Sequence, residues 1–187
     1  MKKKPTIAFM YDFDKTLCDQ DMQDYDFIPN LGMTSDEFWS GVEQFRKKHY
    51  MEGILGYMYY MMYQCKEKGI PFTQEYLRSL GKTIKFYKGV QNWFKRINQY
   101  GESIGVKIEH YVISSGLKDI IDGSPIRDEF KKIFACQYYF DENGEAAMKY
   151  GISSIPNVLA FKGGKVVGSS LGFVPANVLL DFVEKYV

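Results

Sequence analysis

The sequence predicts an α/β fold: a three-layer core with parallel strands at the front and a C-terminal antiparallel hairpin, plus an inserted helical cap. Three observations predict it. Two apolar runs, one closing at Tyr11 and one at Ile113, pass into polar turns and then into helical patterns, as parallel crossovers do. Residues 18 to 88 between them carry helical patterns and no strand pattern. Near the end, Gly163-Gly164 suits a tight hairpin.

The elements follow in order. Ile7-Ala8-Phe9-Met10-Tyr11 is the first strand. Thr34-Ser35-Asp36-Glu37 is a capping-box signature, with Phe38, Val42 and Phe45 at helical spacing behind it. Met51 to Lys68 is apolar nearly all round, so it reads as the buried helix of this region. Thr73 caps a further helix through Tyr76, Leu77 and Leu80 that Gly81 closes. Val90, Trp93, Phe94 and Ile97 share one helix face that Gly101 ends. Lys107 to Ile113 alternates as a strand, Leu117 to Ile121 restarts a helix, and Phe134 to Phe140 reads as another strand. The predicted division is a core of residues 1–17 and 89–187, within which 145–187 forms a distinct C-terminal part, with a helical cap at 18–88.

A chain of 187 residues can bury one substantial core. Its 45% hydrophobic and 25% charged residues are ordinary for a soluble globular protein. With a net charge of +1 and no basic stripe interleaved with aromatics, nucleic acid is not an expected partner. The apolar run behind Lys2-Lys3-Lys4 is broken at Asp12, too early for a secretory core. Gly53 to Cys65 is too short and too polar to span a bilayer, so no membrane association is expected. Cys18, Cys65 and Cys136 are odd in number and lack C-x-x-C spacing, which argues for reduced thiols in a cytoplasmic protein.

The chemistry is concentrated in Asp12-Phe13-Asp14-Lys15-Thr16-Leu17. A strand ending in Asp-x-Asp sets two carboxylates at the carboxyl edge of a sheet, with Phe13 turned away. Close carboxylates repel, so they favour a cation between them or a proton on one of them. Either suits phosphoryl transfer, in which one Asp attacks and the other handles a proton. The structural alternative is that these residues merely form a turn and cap a helix. The motif resembles the first signature of the haloacid dehalogenase-like hydrolases, mostly phosphatases and phosphotransferases. That resemblance implies Asp12 as nucleophile and Asp14 as general acid/base. It also implies Mg²⁺ as cofactor, held by the Asp12 carboxylate and the Asp14 backbone carbonyl, and a small phosphorylated substrate.

Tyr111-Val112-Ile113-Ser114-Ser115-Gly116 is a second strand-turn unit. Hydroxyls and a glycine at a helix start can converge on a phosphate, which makes Ser114, Ser115 and Gly116 candidate phosphate-binding residues. The alternative is that one serine caps the helix. The unit resembles the second signature of the same family, which implies that Ser114 binds the transferring phosphoryl group. Together the two signatures cover about residues 5 to 144, resemble a phosphoserine-phosphatase-like branch, and place 18–88 where that family inserts a mobile cap. Tyr57, Tyr59, Tyr60 and Tyr63 either line a pocket in it or pack.

The later signatures depart from the pattern. The family needs a Lys and an acidic loop after a further strand, to neutralise the phosphoryl charge and complete the metal shell. Asp141-Glu142-Asn143-Gly144 is nearest but reads as a turn. Lys149 supplies a positive charge by position, or else sits on a solvated helix face. Glu145 to Pro156, Asn157 to Phe161, Val166 to Gly168 and the helix from Pro175 to Tyr186 resemble the C-terminal half of thioredoxin over about residues 137 to 187. That resemblance makes Ile155-Pro156 a candidate cis peptide; without W-C-x-x-C it implies no thiol–disulfide exchange. Three readings follow: a Mg²⁺-dependent phosphohydrolase working through an aspartyl-phosphate, a hydrolase/thioredoxin chimera without turnover, and a redox-inactive thioredoxin-fold binding module.

Overall fold

The computed structural model describes residues 4–140, 157–163, 165–171 and 174–186. Its first sheet has three parallel strands in the order β1 (Thr6–Tyr11), β2 (Lys107–Leu117), β3 (Lys132–Cys136). Between β1 and the rest lie α1 (Phe27–Asn30), α2 (Ser35–His49), α3 (Gly53–Lys68) and α4 (Gln74–Leu80). Then come α5 (Val90–Ser103), leading into β2, and α6 (Lys118–Asp122) after it. A separate antiparallel pair, β4 (Asn157–Lys162) and β5 (Lys165–Leu171), precedes α7 (Ala176–Glu184). The hairpin turns at Gly163, whose φ of 59° suits glycine. The described strands form two sheets, one of three strands and one of two.

Register fixes what each sheet face meets. Phe9 pairs with His110, Tyr11 with Val112, and Val112 with Ile133, which puts these residues on one face. Phe94 of α5 packs there, with ring centroids 5.8 Å from Tyr11, 5.1 Å from His110 and 5.4 Å from Phe130. A polar chain is buried with the rings. Trp93 Nε1–H donates to the Tyr11 hydroxyl at 2.9 Å, and His110 Nδ1 lies 2.9 Å from that hydroxyl. His110 Nε2 lies 3.1 Å from Asn98 Oδ1, so both ring nitrogens are engaged. Burial lowers the His110 pKa, and the imidazole is a satisfied core group. The opposite sheet face is open: Met10 is 65%, Ile113 53% and Phe134 47% exposed.

Elsewhere local physics moves the expected boundaries. The capping box forms, with Thr34 Oγ1 accepting from Glu37 N–H at 3.3 Å and Glu37 accepting from Thr34 N–H at 2.8 Å. Gly81 follows α4 at a right-handed φ of −63° and passes into a 3₁₀ turn, Gly81–Thr83. It is glycine because a Cβ there would collide with the Ile120 carbonyl. Gly101 lies inside α5 for a similar reason, since its Cβ would stand 2.6 Å from Ile108 Cγ1. β2 extends four residues past Ile113, and β3 starts earlier than expected. The aromatic run expected to be strand instead reaches the helices: Tyr138 stacks edge-on against Phe72 at 4.8 Å and donates to the Met58 carbonyl at 2.6 Å. The helical segment leaves and returns at one point, where Cys18 and Phe86 bridge and Tyr87 N–H donates to the Leu17 carbonyl at 3.1 Å.

Candidate active site

The first motif forms a compact turn at the carboxyl end of β1. The Phe13 carbonyl accepts from Leu17 N–H at 2.9 Å and from Thr16 and Cys18 N–H at 3.3 Å, while Lys15 sits in the left-handed region at φ 55°. Phe13 is fully buried and edge-on to Phe86 at 6.1 Å. That anchor turns the flanking carboxylates outward. Asp12 is exposed; its Oδ1 accepts from Phe13 N–H at 2.8 Å and its Oδ2 meets the Thr16 hydroxyl only at 3.5 Å.

Asp14 is half-buried, and its Oδ1 accepts from Met22 N–H at 2.8 Å. Burial raises its pKa to about 7, opposed by the Met22 hydrogen bond and reinforced by the Asp21 and Asp12 charges. Two adjacent carboxylates therefore differ in kind: Asp12 is wet, while Asp14 titrates near neutrality.

The second motif reaches Asp14 through its glycine. A Cβ on Gly116 would fall on Met22 Cε and stand 2.7 Å from Asp14 Oδ2, so only glycine permits this approach. The strand runs through the motif to Leu117, and no side chain caps α6. This departs from the expected strand end at Ser114-Ser115-Gly116 and from the capping alternative. Ser114 Oγ accepts from Gly116 N–H at 2.9 Å, so it braces its own strand. Ser115 and Gly116 line a cavity of about 300 Å³ with Asp14, Asp21, Gln23, Trp39, Glu52, Gly53, Ile54 and Tyr57, and Ser114 is not among its lining residues.

Of the tyrosine cluster, Tyr57 lines that cavity and donates to the Ser115 carbonyl at 2.7 Å. Tyr59, Tyr60 and Tyr63 stack around Phe45 at 5.8, 5.5 and 5.6 Å, which is packing. Asp21, Gln23, Trp39 and Glu52 carried no motif. They meet only because α2, α3 and the turn after β1 converge, and the one local hint was Glu52 just before an apolar helix. Lys149, Asp141-Glu142-Asn143-Gly144 and Ile155-Pro156 lie outside the described residues.

For Mg²⁺ the available donors are hard oxygens: Asp12 Oδ2 and the backbone carbonyl of Asp14, which accepts no bond from another described backbone group. One or two carboxylates completed by water and substrate phosphate suit this ion. Among the described residues no group of three or more His, Cys, Asp or Glu side chains is placed to hold a metal ion, so any fit is to a sparse site completed by substrate and water. Among the described residues no helix is long and apolar enough to cross a membrane.

Fold and site together define an α/β front with two carboxylates after its first strand, followed in the chain by an antiparallel strand pair and a helix. No family model matches the chain. A solved structure described as a HAD family hydrolase, from Salmonella enterica subsp. enterica serovar Typhi, is similar with a TM-score of 0.50 at 14% identity, over 76% of this chain and 45% of that one. That likeness is one of fold. Thioredoxin of Bacillus subtilis is 49% identical over 47 residues, 25% of this chain and 45% of that protein. An uncharacterised protein of Borreliella burgdorferi is 28% identical over 147 residues, 73% of this chain and 51% of that protein. The chain spans about half the length of the curated relatives it matches.

Proposed function

We propose that this chain is a phosphohydrolase of small phosphorylated substrates that works through an aspartyl-phosphate on Asp12. The observation that carries the reading is the contrast between an exposed Asp12 and, two residues on, an Asp14 carboxyl whose pKa lies at about 7. Phe13 N–H holds Asp12 Oδ1, leaving Oδ2 to attack phosphorus as the ester P–O bond breaks. Protonated Asp14 gives its proton to the leaving oxygen. As carboxylate it then takes a proton from the water that attacks the phosphoenzyme, freeing Asp12 and phosphate. In this proposal the hydroxyl of Ser115, a residue that lines the cavity with Asp14, meets the phosphoryl group. Mg²⁺ bound by Asp12 and the Asp14 carbonyl would supply positive charge to the phosphoryl oxygens.

Residues 18–88 act as the cap in this proposal: α2 and α3 provide Trp39, Glu52 and Tyr57 to the cavity wall. A cytoplasmic setting suits the three free cysteines. Burial pushes Cys18 to about 11 and Cys65 to about 12, which leaves little thiolate for disulfide exchange.

Hydrolysis of p-nitrophenyl phosphate with Mg²⁺ tests the reading. Asp12→Asn should lower the rate by about a thousandfold or more, the scale expected for losing a nucleophile. Equal rates for the two proteins sink it. The sparse set of acids favours a second reading, phosphate binding without turnover, which calorimetric titration with Mg²⁺ and a phosphate analogue separates from the first.

A further inference from the structure

We propose that Tyr57 is a positioning residue of the candidate site: its hydroxyl holds a bulge at Ser114-Ser115-Gly116 in the shape that presents Ser115 and brings Gly116 against Asp14. What Ser115 then meets rests on the phosphohydrolase reading, whereas the way the bulge is held does not. Register defines the bulge. Ile113 pairs with Phe134 and Leu117 with Cys136, so Ser114, Ser115 and Gly116 stand opposite Ala135 alone, and β1 pairs with β2 only as far as Val112. A segment pushed out of the ladder loses the bonds that fix its neighbours, and bulges of this kind re-aim side chains beside active sites. Bonds outside the ladder take their place. Gly116 N–H donates to Ser114 Oγ at 2.9 Å, Leu117 N–H lies 3.1 Å from Met22 Sδ, and the Tyr57 hydroxyl donates to the Ser115 carbonyl at 2.7 Å.

The Tyr57 bond reaches the bulge from α3, 58 positions away in the chain. Its donor is placed firmly. Tyr57 is buried, with its ring 6.2 Å from that of Trp39. The next carbonyl of α3, that of Met58, accepts from the Tyr138 hydroxyl at 2.6 Å. Consecutive residues of α3 thus exchange hydroxyl bonds with the front in opposite directions. On the other side of the bulge α4 lies backbone to backbone on α6: a Cβ on Gly123 would stand 1.8 Å from the Arg78 carbonyl, and Gln74 Nε2 donates to buried Asp119 at 2.8 Å. The helices are therefore held on the front at two places, and the Ser115 carbonyl keeps one orientation. That orientation matters at the next residue, because a Cβ on Gly116 would stand 2.7 Å from Asp14 Oδ2. Rotation of the peptide between Ser115 and Gly116 would swing the serine hydroxyl and change the approach to Asp14, and reacting groups tolerate little misplacement.

Amide hydrogen exchange in the full chain, read residue by residue, tests this without turnover. Tyr57→Phe keeps the ring and removes only the hydroxyl. Gly116 N–H should then exchange about tenfold faster, while Val112 N–H, in the same strand but inside the ladder, keeps its rate. Tyr138→Phe removes a hydroxyl bonded to the same helix and leaves the Ser115 bond intact, so Gly116 should change by less than about threefold. An unchanged Gly116 in Tyr57→Phe, an equal rise at Val112, or equal effects of the two variants overturns the proposal. A second arm reads the consequence for the site. With p-nitrophenyl phosphate and Mg²⁺, Tyr57→Phe should lower kcat about tenfold and leave KM within about twofold, since a misaimed hydroxyl is missed chiefly in the transition state. Undiminished kcat in Tyr57→Phe overturns the positioning role. Faster Gly116 exchange with no turnover even in the unaltered chain supports the hold on the bulge and removes the hydrolase reading alone.

Discussion

The front of the molecule and its C-terminal unit bury their apolar residues very differently. At the front, Phe13, Phe27, Phe38 and Phe94 are all fully buried, in one cluster that joins β1, β2, β3 and the helices. In the C-terminal unit, Val166, Val167, Val178, Leu180 and Val183 are each 40% or more exposed. Among the described residues of that unit, two strands and one helix leave these apolar side chains exposed. Apolar pattern alone therefore does not make a core; it needs enough layers to close over it.

Three further measurements break or sharpen that comparison. The largest stability effect belongs to the front: Phe94→Ala should cost about 3–5 kcal/mol in denaturant unfolding, since it empties a site ringed by Tyr11, His110 and Phe130. A cost below about 1 kcal/mol would mean that the front core is not packed as described.

Next comes Asp14, in metal-free protein. Its folded pKa of about 7 lies above that of an unfolded carboxyl, so the folded state holds the proton more tightly. Stability from this group is complete below the unfolded value and declines as pH rises through about 7. Asp14→Asn should flatten the pH profile of the melting temperature between about 4 and 8 and stabilise the chain above it, by at most about 4 kcal/mol. Parallel profiles for both proteins would contradict the buried-carboxyl account.

The smallest effect is expected in the C-terminal unit. Leu180 is 62% exposed, and Leu180→Ser should change stability by less than about 0.5 kcal/mol. A loss as large as that of Phe94→Ala would show that α7 is covered in solution.

Much of this was legible in the chain. The capping box of α2, the β1 turn with Phe13 inward, the Gly163 hairpin and the final helix follow from local rules that act over a few residues. At the serine motif the local pattern misplaced the end of the strand. A hydroxyl before a glycine suggests a helix start, yet the strand continues and Ser114 serves its own backbone. Gly81 and Gly101 likewise looked like helix ends, because nothing local distinguishes a glycine needed for φ from one needed for close packing.

By itself, then, the sequence determined periodicity, caps and the pairing of two carboxylates after a strand, all set by neighbours along the backbone. The tertiary structure alone decided that Gly116 lies against Asp14, that burial lifts Asp14 to about 7, and that Trp39, Glu52 and Gln23 share its cavity. Those facts depend on desolvation and on contacts between segments tens of residues apart, which no local pattern encodes.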